Sequence, residues 1–285
     1  MNFIKNSIRL SGLLVLFGIS AFGMKLEFKL SGGYAYLNAK SINTGIAGWA
    51  EWRKKEAEAN KNWFFLSESL DNLHSGIHLE GEILLSLSSR ISISLGTGYL
   101  YSDVYERDVE VVAIKTSGPI SQIFPTTVSA YPVVLSVYYF LPLTSKLQLY
   151  ARGGGGMAWA SFVNREAKKL ESAEKYNYFQ TERGTASGPV YMGGLGLAYQ
   201  TDVGVRFFLE GLIRTAKIRG FSGENELEEQ GMLYYYEEYD PALDFWQAKN
   251  EIRSEMPSGT NFRSVSEAEV DFSGFSVKIG FIIRF

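Results

Sequence analysis

The sequence predicts an all-β fold: an eight-stranded antiparallel up-and-down transmembrane barrel with four long external loops and short periplasmic turns. Three observations predict it. Apolar and polar residues alternate with period two in eight stretches after Met24, the mark of a strand with two unlike faces. The connections between these stretches are short and long in strict alternation. The chain holds 29 glycines, 14% aromatic residues and only 7 prolines in 285 residues, a composition suited to close-packed strands.

Residues 1–23 read as a cleaved export signal. Lys5 and Arg9 form a basic start, Leu10 to Ala21 an apolar run, and Ala21-Phe22-Gly23 supplies small residues at the cut. The run falls short of the ~20 apolar residues of a spanning helix. Residues 24–285 then form the barrel domain, since a chain without a long apolar helix re-enters a membrane only as a closed sheet.

The first strand sets Leu26, Phe28, Leu30, Tyr34 and Tyr36 against Glu27, Lys29, Ser31 and Gly33. The second sets Ile77, Leu79, Ile83, Leu85 and Leu87 against His78, Glu80, Glu82 and Ser86. The third carries Ile91, Ile93, Leu95, Tyr99 and Tyr101 outward. The fourth (128–141) carries Tyr131, Val133, Leu135, Val137 and Tyr139. The fifth (146–160) points Leu149, Met157 and Trp159 outward and Gln148, Tyr150 and Arg152 inward. The sixth (189–200) carries Tyr191, Leu195, Leu197 and Tyr199 outward. The seventh alternates Val205, Phe207, Leu209 and Ile213 with Arg206, Phe208, Glu210 and Arg214. The eighth is the cleanest, with Phe275, Val277, Ile279, Phe281, Ile283 and Phe285 on one face and Lys278 among the residues opposite.

Tight turns join the strands at 87–90, 141–146 and 201–202, and long loops span 39–73, 103–127, 161–187 and 218–268. An even strand count places both ends on the periplasmic side. A hairpin hidden in the second or fourth loop would raise the count to ten. Residues 104–114 also alternate and are expected to extend the third strand above the membrane. In the first loop, Gly48 to Asn60 has helical composition and a favourable Glu51–Lys55 pair. In the fourth, Asp240-Pro241 reads as a helix start leading into Ala242 to Arg253. Tyrosines and Trp159 gather at the long-loop ends of the strands, and Phe28, Tyr139, Tyr199 and Phe285 at the other, as two interfacial girdles would.

The closing run Val277-Lys278-Ile279-Gly280-Phe281-Ile282-Ile283-Arg284-Phe285, with a final aromatic and alternate apolar residues before it, resembles the terminal strand of small eight-stranded outer-membrane barrels of the OmpA/OmpX/OmpW type. The resemblance covers the architecture of residues 24–285 and reaches no subfamily. It implies that Phe281, Ile283 and Phe285 form the assembly signal read by the barrel-insertion machinery. It also implies outer-membrane lipid as a partner, the outer membrane of a Gram-negative-type bacterium as the location, and periplasmic termini. No further segment follows the terminal strand, so the peptidoglycan-binding module of the OmpA kind is not expected.

The chain has 28 cations against 31 carboxylates, a net charge of −3, so no basic field points to nucleic acid. No cysteine is present, which excludes disulfides, thiolate metal sites and cysteine nucleophiles. No cofactor is expected. The inward face collects Glu27, Lys29, Glu80, Glu82, Arg152, Arg206, Glu210, Arg214 and Lys278, with opposite signs on neighbouring strands. A barrel of this size has an interior that side chains fill, so these charges are expected to pair and plug the lumen; the alternative is a narrow polar path or gate. His74 and His78, four residues apart in a strand, lie about 13 Å apart and cannot share a metal. An enzyme acting on lipid would need His74 paired with a serine, and the adjacent Ser75 points to the opposite face.

The loops carry the other candidates. The first holds Trp49, Trp52, Trp63, Phe64 and Phe65, rings that pack among the loops or rest on the membrane surface. The fourth carries twelve acids against four bases between 219 and 269, together with Tyr234, Tyr235, Tyr236, Tyr239 and Trp246. Tyrosines beside acids suit recognition of an external protein or sugar; as an unconstrained connection the loop would be a solvated, variable surface segment. The function expected is non-enzymatic, structural or surface-binding through the external loops. The alternatives are a narrow channel for small or apolar solutes and, behind it, a lipid-modifying enzyme.

Overall fold

The structure, a computed structural model, describes residues 25–60, 63–104, 109–115, 118–170 and 177–284. The export segment and Phe285 of the assembly motif lie outside the described residues. The chain opens with β1 (Lys25–Tyr36), helix α1 (Lys40–Ala59), β2 (Trp63–Leu70), β3 (Ser75–Ser86), β4 (Ile91–Val104), β5 (Val109–Lys115) and β6 (Gly118–Ile123). Next come β7 (Thr126–Pro142), β8 (Leu147–Leu170), β9 (Asn177–Gln200), β10 (Val205–Thr215), β11 (Lys217–Ile218) and β12 (Ser222–Glu224). It closes with β13 (Gln230–Asp240), β14 (Phe245–Arg253), β15 (Phe262–Glu267), β16 (Val270–Asp271) and β17 (Gly274–Arg284).

Antiparallel pairings run from β1 to β3, β4, β7, β8, β9, β10 and β17, and β17 pairs back to β1. The sheet therefore closes into a ring with no free edge. Alternation in the sequence becomes inside and outside. Leu95, Leu135, Leu195, Phe207 and Ile279 are exposed on the outer wall, while Glu82, Ser136, Arg152, Phe208 and Lys278 are buried within. Tight turns join the strands at one end of the ring. Leu87, Leu143 and Thr201 each donate a backbone bond four residues ahead, and the Ser88 and Thr144 hydroxyls accept the amides that follow them.

At the other end the long connections fold into a cap. β8 runs on to Leu170 past its pairing with β7, which ends at Asn164, and β9 starts at Asn177, well before its pairing with β10 begins at Tyr191. One side of this tall hairpin carries β6, then β5, then β2; the other carries β12, β13, β14 and β15. Helix α1 packs against β14, β2 and β5. Leu37, Ile46, Leu100, Val134, Phe162 and Phe272 belong to one buried apolar cluster shared by barrel and cap, so the cap is seated by hydrophobic burial.

Several expectations need correction. Residues 104–114 do not lengthen the third strand: β4 ends at Val104, and β5 turns away to pair with β2 and β6. Val109 and Val111 are buried, so the alternation marks a cap face. Hairpins do occupy the second and fourth loops, yet both pair outside the ring. No helix follows Asp240. Its carboxylate accepts the Ala242 and Leu243 amides, which is cap chemistry used in a turn, and the chain returns as β14 beside β13. Strand pairing over nine residues overrides local helical preference there. The fourth loop is not a solvated segment either, because Phe221, Leu233, Tyr236, Ile252 and Ala268 are buried in it. The first-loop helix exists but starts at Lys40, eight residues before Gly48. Gly48 lies inside it because a Cβ there would come within 2.4 Å of the Ala248 carbonyl on β14.

Candidate functional site

The lumen is layered. Nearest the tight turns, Glu27 pairs with Arg206 and, at 2.9 Å, with Arg284 at the rim. Above it Leu84, Phe140, Ala198, Phe208 and Ile282 form an apolar layer with the rings of Tyr138 and Tyr150. Tyr150 fits only because position 196 is glycine: a Cβ there would meet its ring at 2.2 Å.

The next layer is ionic. Three carboxylates, Glu80, Glu82 and Glu210, alternate with three cations, Lys29, Arg152 and Lys278. Lys29 lies 2.9 Å from Glu82 and 2.7 Å from Glu210. Arg152 reaches Glu82 at 2.6 Å and Glu80 at 3.0 Å, and its Nε lies 3.5 Å from Glu210. Lys278 pairs with Glu80 and, at 2.9 Å, with Glu210. The register explains the shape: Lys29 stands opposite Glu82 across β1 and β3, and Glu210 opposite Lys278 across β10 and β17. Tyr138 and Ser94 donate to Glu82, and Tyr150 donates to Glu210. With charges balanced and hydroxyls donating to Glu82 and Glu210, the layer approaches the conditions under which buried ions are tolerated, though Glu210 Oε1 and Arg152 Nε meet their partners only as ion pairs and not in hydrogen-bond geometry.

Arg214 departs from this pattern. Among the described residues it has no carboxylate partner; its Nε donates to the Phe272 carbonyl at 2.7 Å and its Nη1 to Ser276 Oγ at 3.2 Å. Ser276 also lies 3.1 Å from His78 Nδ1. His74 is exposed above the ring, stacked on Tyr36 at 5.8 Å. Among the described residues no cluster of three or more metal-type ligands occurs. Phe281 stands opposite Leu30 and Phe207, and Ile283 opposite Phe28 and Val205, so both lie in the seam strand.

The loop aromatics are built into the cap. Tyr236 is buried and donates to Glu251; Tyr239 donates to Asp244 at 2.7 Å and packs on Trp246, ring centroids 5.2 Å apart. Tyr234 and Tyr235 are half-buried on β13. Trp49 is buried against Phe124 at 5.1 Å, and Trp52 donates to Asp240 at 2.9 Å. Against the cost of burial, Lys249, Tyr236 and Arg253 hold the Glu251 carboxyl below the usual range. Sequence reasoning missed the polar groups at the heart of the cap: Arg53 paired with Glu166, and Gln247, Asn250 and Glu182, all buried. Their local sequence carries no motif. Gly45 and Gly48 inside a helical stretch were the available signal of a close neighbour.

A closed antiparallel ring with an apolar outer wall and an ionic interior defines a β-barrel of the outer-membrane kind. No family model matches the chain, and a search of curated proteins finds no relative. Among solved structures, the chain is similar to the outer membrane protein OprG from Pseudomonas aeruginosa, at 13% identity over 91% of this chain and 95% of that one, with a TM-score of 0.40. It has fainter likenesses to the RagAB peptide transporter (7% identity, 90% of this chain and 40% of that one, TM-score 0.18) and to a Pseudomonas aeruginosa FadL homologue (6%, 91% and 89%, TM-score 0.15).

Proposed function

We propose that this is an outer-membrane barrel of the small OmpA/OmpX/OmpW type whose lumen is closed and whose work is done by the external cap. One observation carries the reading: the interior charges are engaged with one another and with hydroxyls and carbonyls, and an apolar cluster shared with a folded cap lies above them. A conducting lumen needs solvated charges lining a gap, whereas these side chains are buried and paired with one another. The apolar outer wall favours lipid as its surroundings, with the tight turns on the periplasmic side and the cap outside. The export segment and the terminal-strand motif favour delivery to the barrel-insertion machinery. No enzymatic role is assigned, since His74 stacks on a tyrosine and faces no serine that the structure records.

Single-channel recording from the folded protein in planar bilayers tests the reading. A silent bilayer with verified insertion is expected. Discrete steps that change on Arg206→Ala would overturn it in favour of a channel lined by the inward charges.

A further inference from the structure

Two adjoining cavities lie within the cap. The inner one, about 200 Å³, is lined by Trp49, Trp52, Phe124, Glu182 and Asn250 among other residues of α1, β8, β9 and β14. The outer one, about 430 Å³, is lined by Asn225, Glu226, Glu229 and Glu255 and lies at the surface. Gln180, Glu182 and Glu251 line both, so the two meet at Glu182.

Two of the carboxylates here have a cation. Glu166 pairs with Arg53, and Glu251 lies 3.4 Å from Lys249 and 3.2 Å from Arg253. Glu182 has none. Its Oε1 accepts the Ile252 amide at 3.2 Å, while Oε2 is buried without a hydrogen-bond partner and the residue is only 3% exposed. Asn250 Oδ1, on the same cavity wall, is a second buried acceptor without a donor. Such groups cost stability unless a donor reaches them. The inner cavity also presents ring surface, which attracts cations. Trp49 Nε1 and Arg53 Nε, two buried donors on that wall without partners, are suited by water carried in with a hydrated ligand. The outer cavity adds three exposed carboxylates, Glu226, Glu229 and Glu255.

We propose that the two cavities form one site for a linear polyamine, with a terminal ammonium held by Glu182 and Asn250 and a second ammonium among Glu226, Glu229 and Glu255. This rests on the reading of the cap as a binding structure and names its ligand class. A compact metal ion fits less well, because the carboxylates do not converge into a ligand cluster among the described residues. Two spaced ammonium groups match two separated acidic positions.

Proton exchange accompanies binding. Burial, then the nearby Glu251 charge, holds the Glu182 carboxyl well above the usual carboxylate range, against the hydrogen bond from Ile252. Glu226 adds to the rise and Lys249 opposes it; Glu166, Arg53 and Arg253 complete the charged surroundings. An arriving ammonium favours the carboxylate, so Glu182 releases its proton to solvent as the amine docks, and affinity rises with pH.

The test is calorimetric titration of spermidine into the folded, full-length mature barrel at pH 6 and pH 8, with folding checked by heat-modifiable mobility. The wild-type protein is expected to bind at least tenfold more weakly at pH 6. Glu182→Gln keeps the Ile252 contact and the side-chain volume; it is expected to weaken binding at least tenfold at pH 8 and to flatten the pH dependence. Glu229→Gln, at the exposed rim, is expected to weaken spermidine and leave n-butylamine unchanged. No spermidine binding by the wild type, equal affinity in Glu182→Gln, or full competition by equimolar magnesium would overturn the proposal. Those results combined with a silent bilayer remove the polyamine and leave the closed barrel standing; conductance steps remove the closed-barrel reading itself.

Discussion

At the scale of single residues, the ionic layer makes the sharpest statement. Glu210 neutralises Lys29 and Lys278 and accepts from Tyr150. Glu210→Ala leaves Lys29 with Glu82 alone and Lys278 with Glu80 alone, and the buried layer one negative charge short; loss of one partner from a buried pair costs on the order of 3–5 kcal/mol, and a urea titration followed by heat-modifiable mobility is expected to show a lowered midpoint. Glu182 supplies the pH prediction. Its folded carboxyl is raised, so its contribution to stability is fully present below the unfolded carboxylate range and lost as pH rises through the folded value. Glu182→Gln is therefore expected to slow proteolysis of the cap at pH 8 and leave the rate at pH 4 unchanged. The inward position of Glu80, Glu82, Arg152, Arg206, Glu210, Arg214 and Lys278 was legible because a strand has period two. Their partners were not, because pairing across the lumen depends on register and rotamer. Arg214 shows the difference: it faces inward as its position in the strand requires, yet it binds a carbonyl and a serine.

Elements show where local signals succeed and fail. The ring strands lie where the alternation puts them, except that β8 and β9 run on to Leu170 and back from Asn177, through positions read as a long loop, because the two strands keep pairing with each other above the ring. The cap strands are short and tied to one another across long stretches of sequence, and their alternation reads equally well as an extension of a barrel strand, as at 104–114. The Asp240-Pro241 signal was real as a cap for amides but was spent in a turn. Helix α1 depends on close approach to β14. Gly48→Val places side-chain atoms against the Ala248 carbonyl, a contact that only movement of the helix relieves. That substitution is expected to raise the rate of limited proteolysis between residues 40 and 60 at least severalfold, with the ring still resistant; an unchanged rate would show that the helix is held by other contacts, such as the pair of hydrogen bonds joining Asn43 to Leu73.

For the whole molecule, the ring closes without any strand of the fourth loop, which joins it through the upper part of β9. Of the strands between 222 and 267, only β12 pairs with a ring strand, and it does so on the upper part of β9, opposite Arg183 to Thr185. Replacing residues 222–267 by a short turn is therefore expected to leave insertion and heat-modifiable mobility intact, at reduced thermal stability from loss of the shared apolar cluster. Loss of insertion would mean that the cap is needed to assemble the ring. Fold class, strand faces and the polarity of short and long connections were all readable from the chain. The cap as a folded body was not, since its core forms only when four separate loops meet.

The seam between β1 and β17 has a kinetic consequence. Glu27 and Arg284 face each other across 257 positions of chain. Closure of so long a segment is entropically costly and comes after the local hairpins. Until β17 arrives, β1 and β10 each present a bare row of amides and carbonyls. A chain arrested before residue 274 would thus be open at two edges at once, able to add strands from other molecules at either side, and the last eleven-residue strand is what turns an aggregation template into a sealed cylinder.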